Sequence, residues 1–186
     1  MQAGFSAQRN QDIGSAVDDF SLEDVSGGEQ TLSAFLLGKK GAVVVFWSGV
    51  CAHCVRYDEY FNGFSVRHPE LPLVAVASRQ GETPEQIRKT IAERGLTFPI
   101  LHDPGSLVAQ RWYTEQTPRA FLVDPGRTLL YRGAIDNYKY PEDPQHIPYL
   151  ESAISEFLAG GPVSRAETAS FGCAVRSVYY NLSTKL

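Results

Sequence analysis

The stretch Ala42-Val43-Val44-Val45-Phe46-Trp47-Ser48-Gly49-Val50-Cys51-Ala52-His53-Cys54 decides how this chain is to be read. Ala42 to Phe46 is an unbroken run of mainly β-branched and aromatic residues, as a strand buried on both faces requires. The residues from Cys51 to about Arg67 read as a helix, with Tyr57, Tyr60, Phe61 and Phe64 at helical spacing; core packing accounts for those aromatics. Cys51 and Cys54 therefore stand at a strand-to-helix junction, spaced to close a disulfide across one turn. Free backbone N–H groups and the helix dipole at such a junction favour an anion, and the thiolate is the nucleophile of disulfide exchange. Cys51 is the expected attacking thiol. Cys54, one turn in and less exposed, is expected to resolve the mixed disulfide by attacking the Cys51 sulfur. A protonated His53 between them would favour the thiolate further. The competing reading of the pair is packing, since free cysteine behaves as a small hydrophobe.

Composition limits the partners. The 186 residues suffice for one domain with a substantial core, and 43% hydrophobic with 20% charged residues is ordinary for a globular chain. A net charge of -4 without a basic stripe argues against nucleic acid. No apolar run is long enough to span a membrane. Three cysteines are too few for a disulfide scaffold, and one CxxC pair lacks the four ligands of a structural zinc site, so redox use is the better reading and no metal is implied. Residues 1–13 read as a flexible N-terminal segment, either a cytosolic start or the spacer left by a removed signal or anchor. An exposed dithiol suits an oxidising compartment, so an extracytoplasmic location is expected, with the cytoplasm as the alternative.

Outward from the central stretch, the chain alternates strands and helices. Asp19 to Asp24 reads as a strand followed by a turn at Ser26-Gly27-Gly28-Glu29, and Thr31 or Ser33 caps one helical turn. Leu71 to Ala77 is the next apolar strand. Thr83-Pro84-Glu85-Gln86 opens a helix that stops near Arg94-Gly95. A short strand at Phe98 to Leu101 and a helix from Ser106 to Tyr113 follow, with His102-Asp103-Pro104 as a loop between them. Ala120 to Val123 and Thr128 to Tyr131 flank the turn Asp124-Pro125-Gly126-Arg127. Pro148 to Leu158 is a last amphipathic helix, stopped by Gly160-Gly161-Pro162. This order predicts an α/β fold: a mixed sheet with parallel crossovers in front and an antiparallel pair behind. Residues 14–160 form the domain, and 161–186 are a tail too poor in apolar residues to stand alone and are expected to pack on it.

These residues resemble the thioredoxin-fold superfamily, in its redoxin, AhpC/TSA and TlpA-like branch. Ala16 to Asp24 is similar to that branch's N-terminal hairpin, Trp47 to Cys54 to its active-site segment, and Thr117-Pro118-Arg119-Ala120-Phe121-Leu122-Val123-Asp124 to its cis-proline segment and next strand. Gly133-Ala134-Ile135-Asp136, Leu158 to Val163 and Phe171-Gly172-Cys173 look like a bacterial redoxin subgroup with this C-terminal extension. The resemblance implies a thioredoxin-like fold and a thiol–disulfide oxidoreductase without a cofactor, serving protein thiols or disulfides and a redox partner protein. It implies a cis Pro118 that exposes the Thr117 backbone for strand-like pairing with a substrate peptide. Trp47 either flanks and shields the dithiol or is core. Cys173 is a buried structural residue, a third redox thiol, or a partner for another chain. His102 reads as solvated or hydrogen-bonded, and Asp136 as a solvated loop acid near the site.

The chain also departs from the pattern. The buried Asp that many thioredoxins carry six residues before the first cysteine is Val45 here, and the Glu that many TlpA-like proteins carry six residues after it is Tyr57. The active-site dipeptide ends in His, as in an oxidising relative, but Ala52 replaces the usual Pro. Two other functions stay open. A thiol peroxidase would use Cys51 as sulfenic acid and Cys54 or Cys173 to resolve it; Ser48 fits its hydroxyl position, while Val44 replaces its proline. A Cu(I)-binding module would use the two thiolates and His53.

Overall fold

The computed structural model describes residues 12–176, so most of the expected flexible segment 1–13 and the end of the tail lie outside the described residues. Among the described residues there are nine strands: β1 (Ser21–Asp24), β2 (Glu29–Thr31), β3 (Ala42–Trp47), β4 (Leu73–Ala77), β5 (Ile100–His102), β6 (Gln116–Thr117), β7 (Arg119–Val123), β8 (Leu129–Gly133) and β9 (Cys173–Ala174). The helices are α1 (Leu32–Leu36), α2 (Ala52–Val55), α3 (Asp58–Asn62), α4 (Phe64–Arg67), α5 (Pro84–Arg94), α6 (Leu107–Arg111) and α7 (Tyr149–Leu158), with a 3-10 turn at Pro104–Ser106.

Seven strands form one sheet in the order β2-β1-β5-β4-β3-β7-β8. β3 and β4 run parallel, as do β4 and β5, while β7 pairs antiparallel with β3 and β8 closes that edge antiparallel to β7. This is the thioredoxin-like mixed sheet with its N-terminal hairpin. β3 is central, and its continuous apolar run follows from having both faces covered. Val43, Val45 and Trp47 point into one core with Tyr57, Phe61 and Phe64. Val44 and Phe46 point into the other, where Phe46, Trp112 and Phe121 meet edge to face at 5.2–5.8 Å between ring centroids. One strand thus ties both layers together and fixes where its C-terminal end emerges.

Local chemistry sets the helix starts. Thr31 accepts from the Ala34 amide. Thr83 and Gln86 form a reciprocal capping box over α5, and Gly95 ends that helix in the left-handed region at φ 62°. The expected single helix from Cys51 to Arg67 is instead three short ones. The Tyr57 amide reaches back only to Cys54 O, at 3.0 Å, which tightens the turn, and Gly63, a poor helix former, sits at the second break. The apolar face survives because each break shifts the register little. His102 is the last residue of β5 rather than a loop residue, and its Nε2 lies 3.2 Å from the Glu82 carbonyl.

The tail from residue 161 to 176 lies along the domain. Ala166 accepts from the Arg132 amide at 2.9 Å and the Thr168 amide donates to Arg132 O at 3.1 Å. β9 then pairs antiparallel with β6, Thr117 opposite Cys173 and Gln116 opposite Ala174.

Candidate active site

β3 ends at Trp47, and the turn Ser48-Gly49-Val50 delivers Cys51 to the start of α2 as its N-cap, in extended conformation. Two groups hold this turn. Glu82 Oε1 accepts from the Gly49 amide at 2.7 Å, and Arg94 Nη1 donates to the Gly49 carbonyl at 2.8 Å. Arg94 is itself forked onto Asp58, with Nε on Oδ2 at 2.7 Å and Nη2 on Oδ1. Burial pushes the Glu82 carboxyl up, while the Ser48 hydroxyl and the Gly49 and Val50 amides pull it down. Neither Glu82 nor Arg94 stood out in the sequence: one precedes a helix cap and the other ends the helix, where acids and bases are common for local reasons.

Cys51 faces the peptide bond Thr117–Pro118, which is cis. Its sulfur lies 3.3 Å from the Thr117 carbonyl oxygen. The Cys54 thiol above all lowers the Cys51 thiol to about 4, against burial; the thiol and backbone of Cys173 and the Thr117 side chain add to the lowering. Cys54 goes the other way, raised by burial first, then by hydrogen bonding to the Cys51 sulfur and by its charge. The first sulfur is therefore set up as thiolate and the second as thiol. α2 is a single turn, so hydrogen bonds to the sulfur rather than a long helix dipole account for this polarity.

Both cysteines are fully buried, Cys51 at 0% exposure, which corrects the expectation of an exposed dithiol. The cover is the chain's own tail: Gly172 and Cys173 lie over the Thr117–Pro118 turn. All three cysteines are free thiols. Burial raises the Cys173 thiol, as does the Cys51 charge, and the His53 amide counters it. The His53 ring packs against Tyr138 with centroids 5.3 Å apart. Trp47 is buried in the cluster that contains Cys51 and Cys54, edge-on to Phe98 and beneath the Arg94 guanidinium.

Asp136 is buried, not solvated. It accepts from the Tyr57 hydroxyl at 2.6 Å and the Tyr138 amide at 2.7 Å, and His146 Nε2 lies 3.4 Å away. No local pattern signals this contact, because Tyr57 and Asp136 are 79 residues apart. Among the described residues no group of three or more His, Cys, Asp or Glu is placed to hold a metal ion, and no helix is long and apolar enough to cross a membrane.

The chain is similar to known proteins. The thiol-disulfide oxidoreductase ResA of Geobacillus kaustophilus (strain HTA426) is 31% identical over 112 residues, which is 60% of this chain and 63% of that relative's length. The solved structure of a hypothetical protein from Sinorhizobium meliloti 1021 superposes with a TM-score of 0.78 at 28% identity, covering 88% of this chain and 93% of its own. An uncharacterized conserved protein from Geobacillus kaustophilus gives a TM-score of 0.78 at 23% identity, over 89% and 92% of the two chains. The profile of the AhpC/TSA family matches residues 13–132. Because that match takes in well over half of the chain, from before β1 into β8, this protein is a member of the AhpC/TSA family.

Proposed function

We propose that this protein is a thiol–disulfide oxidoreductase that exchanges disulfides with protein thiols through Cys51 and Cys54. The observation that carries the reading is the opposed polarity of the two sulfurs beside the cis turn: Cys51 lowered to about 4, Cys54 raised, and the Thr117 carbonyl 3.3 Å from the first. In the reductive direction the Cys51 thiolate attacks one sulfur of a substrate disulfide. A bond from Cys51 to that sulfur forms, and the other substrate sulfur leaves with the electron pair. Cys54 loses its proton, attacks the Cys51 sulfur and expels the second substrate thiolate. Two electrons pass from the dithiol to the substrate, and the reverse sequence oxidises a substrate dithiol. A Cys51 this acidic stabilises the reduced form and makes the disulfide more oxidising. Trp47 walls the pair from beneath, and Thr117 and Pro118 present the edge on which a substrate strand docks.

The similarity to ResA over 112 residues supports the same activity class. An extracytoplasmic location fits a dithiol that must cycle through its oxidised form. Insulin reduction and oxidative refolding of a reduced substrate protein test the proposal. The wild type should exceed the uncatalysed rate in at least one direction, and Cys51→Ala should return it to background. Background rates in both assays, or full activity in Cys51→Ala, would overturn the reading. Peroxide consumption with a trapped Cys51 sulfenate would assign a thiol peroxidase instead.

A further inference from the structure

The edge of β6 beside Pro118 is already occupied. Cys173 stands opposite Thr117 in antiparallel register, the Thr117 hydroxyl donates to the Cys173 carbonyl at 3.4 Å, and the Val175 amide donates to Glu115 O at 2.9 Å. This is strand addition to an exposed edge, the way an extended peptide is recognised. The two cysteines meet at the same residue. Cys51 Sγ lies 3.3 Å from the carbonyl oxygen of Thr117, the residue that Cys173 pairs with, and Cys173 packs against the cluster that holds Cys51 and Cys54.

The fit depends on one residue. A Cβ on Gly172 would stand 1.8 Å from the Thr117 carbonyl oxygen and 2.6 Å from its carbon, so only glycine lets the tail come this close. The segment is anchored on both sides. Upstream, the Thr168 hydroxyl binds Tyr131 and the Ala134 amide. Downstream, the buried Val175 accepts from the Gln80 amide at 2.8 Å. Between the anchors Phe171 projects into solvent at 68% exposure. Apart from its attachment to the domain, the segment has the features of a docked substrate: an extended backbone on the β6 edge and a cysteine at the position opposite Thr117, whose carbonyl Cys51 faces.

We infer that residues 171–175 are a tethered substrate, with Cys173 as its reacting thiol, that occupies the docking edge until an external protein displaces it. This rests on the reading of Cys51 and Cys54 as the exchanging pair. In the oxidised protein the Cys173 thiolate attacks the Cys51 sulfur. The Cys51–Cys173 bond forms as the Cys51–Cys54 bond breaks, Cys54 leaves with the electron pair, and it takes up the proton Cys173 gave up. One disulfide is present before and after, so no outside oxidant is consumed. A tethered occupant has an effective concentration on the order of millimolar, so it excludes weakly bound peptides and yields to those that bind the edge better or pull the strand away.

Two variants of the full chain test this. Cys54→Ala, treated with one equivalent of diamide, should form a Cys51–Cys173 disulfide in the monomer, read as a linked peptide by mass spectrometry without reduction. Gly172→Val should raise the rate at which iodoacetamide modifies Cys51 about tenfold or more, because the strand no longer closes over it. A folded Cys54→Ala protein that leaves Cys173 unlinked, while the wild type still forms Cys51–Cys54 and reduces insulin, overturns this inference alone. An unchanged alkylation rate in Gly172→Val overturns it too, because the tail would then not be the cover. A wild type that forms no Cys51–Cys54 disulfide under diamide removes this inference together with the reading on which it rests.

Discussion

The Tyr57 hydroxyl donates to Asp136 Oδ1 at 2.6 Å, and both residues line the small cleft beside Pro118. The acid absent from position 57 is thus present one hydrogen bond away. Burial and then Asp136 hold the Tyr57 phenol above its ordinary value, so it remains a donor across the physiological range. Tyr57→Phe keeps the ring and removes the donor from a buried carboxylate, which should cost about 1–2 kcal/mol. Urea unfolding of the variant should show a lower midpoint at an unchanged slope, and an unshifted midpoint would show that Tyr138 and His146 satisfy Asp136 without it.

The sulfur polarity gives a pH dependence with a definite sign. Cys51 in the folded reduced protein is lowered to about 4, against about 8.5 for an unfolded thiol. Its ionisation therefore contributes stability that is fully present above the unfolded value, shrinks as pH falls, and is gone below about 4. Cys54 and Cys173 are raised, so their contribution declines as pH climbs above the unfolded value. The stability gap between the reduced wild type and Cys51→Ser should widen from about pH 4 to pH 8.5. Thiolate absorbance at 240 nm should rise through one low inflection, and removing the Cys54 thiol should move that inflection upward. A single rise near 8.5 would show an unperturbed Cys51.

The parts legible in the sequence were those written in local chemistry. Val43 to Phe46 announce a two-faced strand, Thr83-Pro84 a helix start, and Cys51-x-x-Cys54 with Thr117-Pro118 the two halves of one site. The strap over that site was not legible as a strand, because β6 and β9 are two residues each and carry no alternation, while their pairing spans 56 residues of chain. Cys173 was visible as an odd thiol, but its position on Cys51 comes from register alone. The continuous helix predicted over 51–67 failed for a related reason: the aromatic spacing reports a shared face, and a face survives breaks at Tyr57 and Gly63 that spacing cannot register.

Arg94 joins the active-site turn to the first helices, since one guanidinium holds both the Gly49 carbonyl and the Asp58 carboxylate. Asp58 and Arg94 are each 18% exposed, so truncating the arginine leaves a mostly buried carboxylate without its counter-charge. Arg94→Ala should cost about 2–3 kcal/mol in chemical denaturation. Arg94→Lys should restore only part of it, because an ammonium cannot fork onto Asp58 and reach Gly49 together. Full restoration by lysine would mean that charge alone holds the turn.

Thr168 separates the tail from the rest of the fold as an experimental handle. Its hydroxyl meets the Tyr131 hydroxyl at 2.7 Å and accepts from the Ala134 amide at 3.0 Å, while Gly133, at φ 153°, has no room for a Cβ against it. Thr168→Val keeps the shape of the side chain but withdraws both hydrogen bonds, a loss of about 1–3 kcal/mol. That loss falls on the tail, not on the two cores, which Thr168 does not enter. Trypsin should therefore cut Thr168→Val at Arg165 faster than the wild type, and Cys51 should be alkylated faster, with the main unfolding transition little moved. If the two rates stay at wild-type values while global stability drops, Thr168 supports the sheet rather than the strap, and the tail is held by β9 alone.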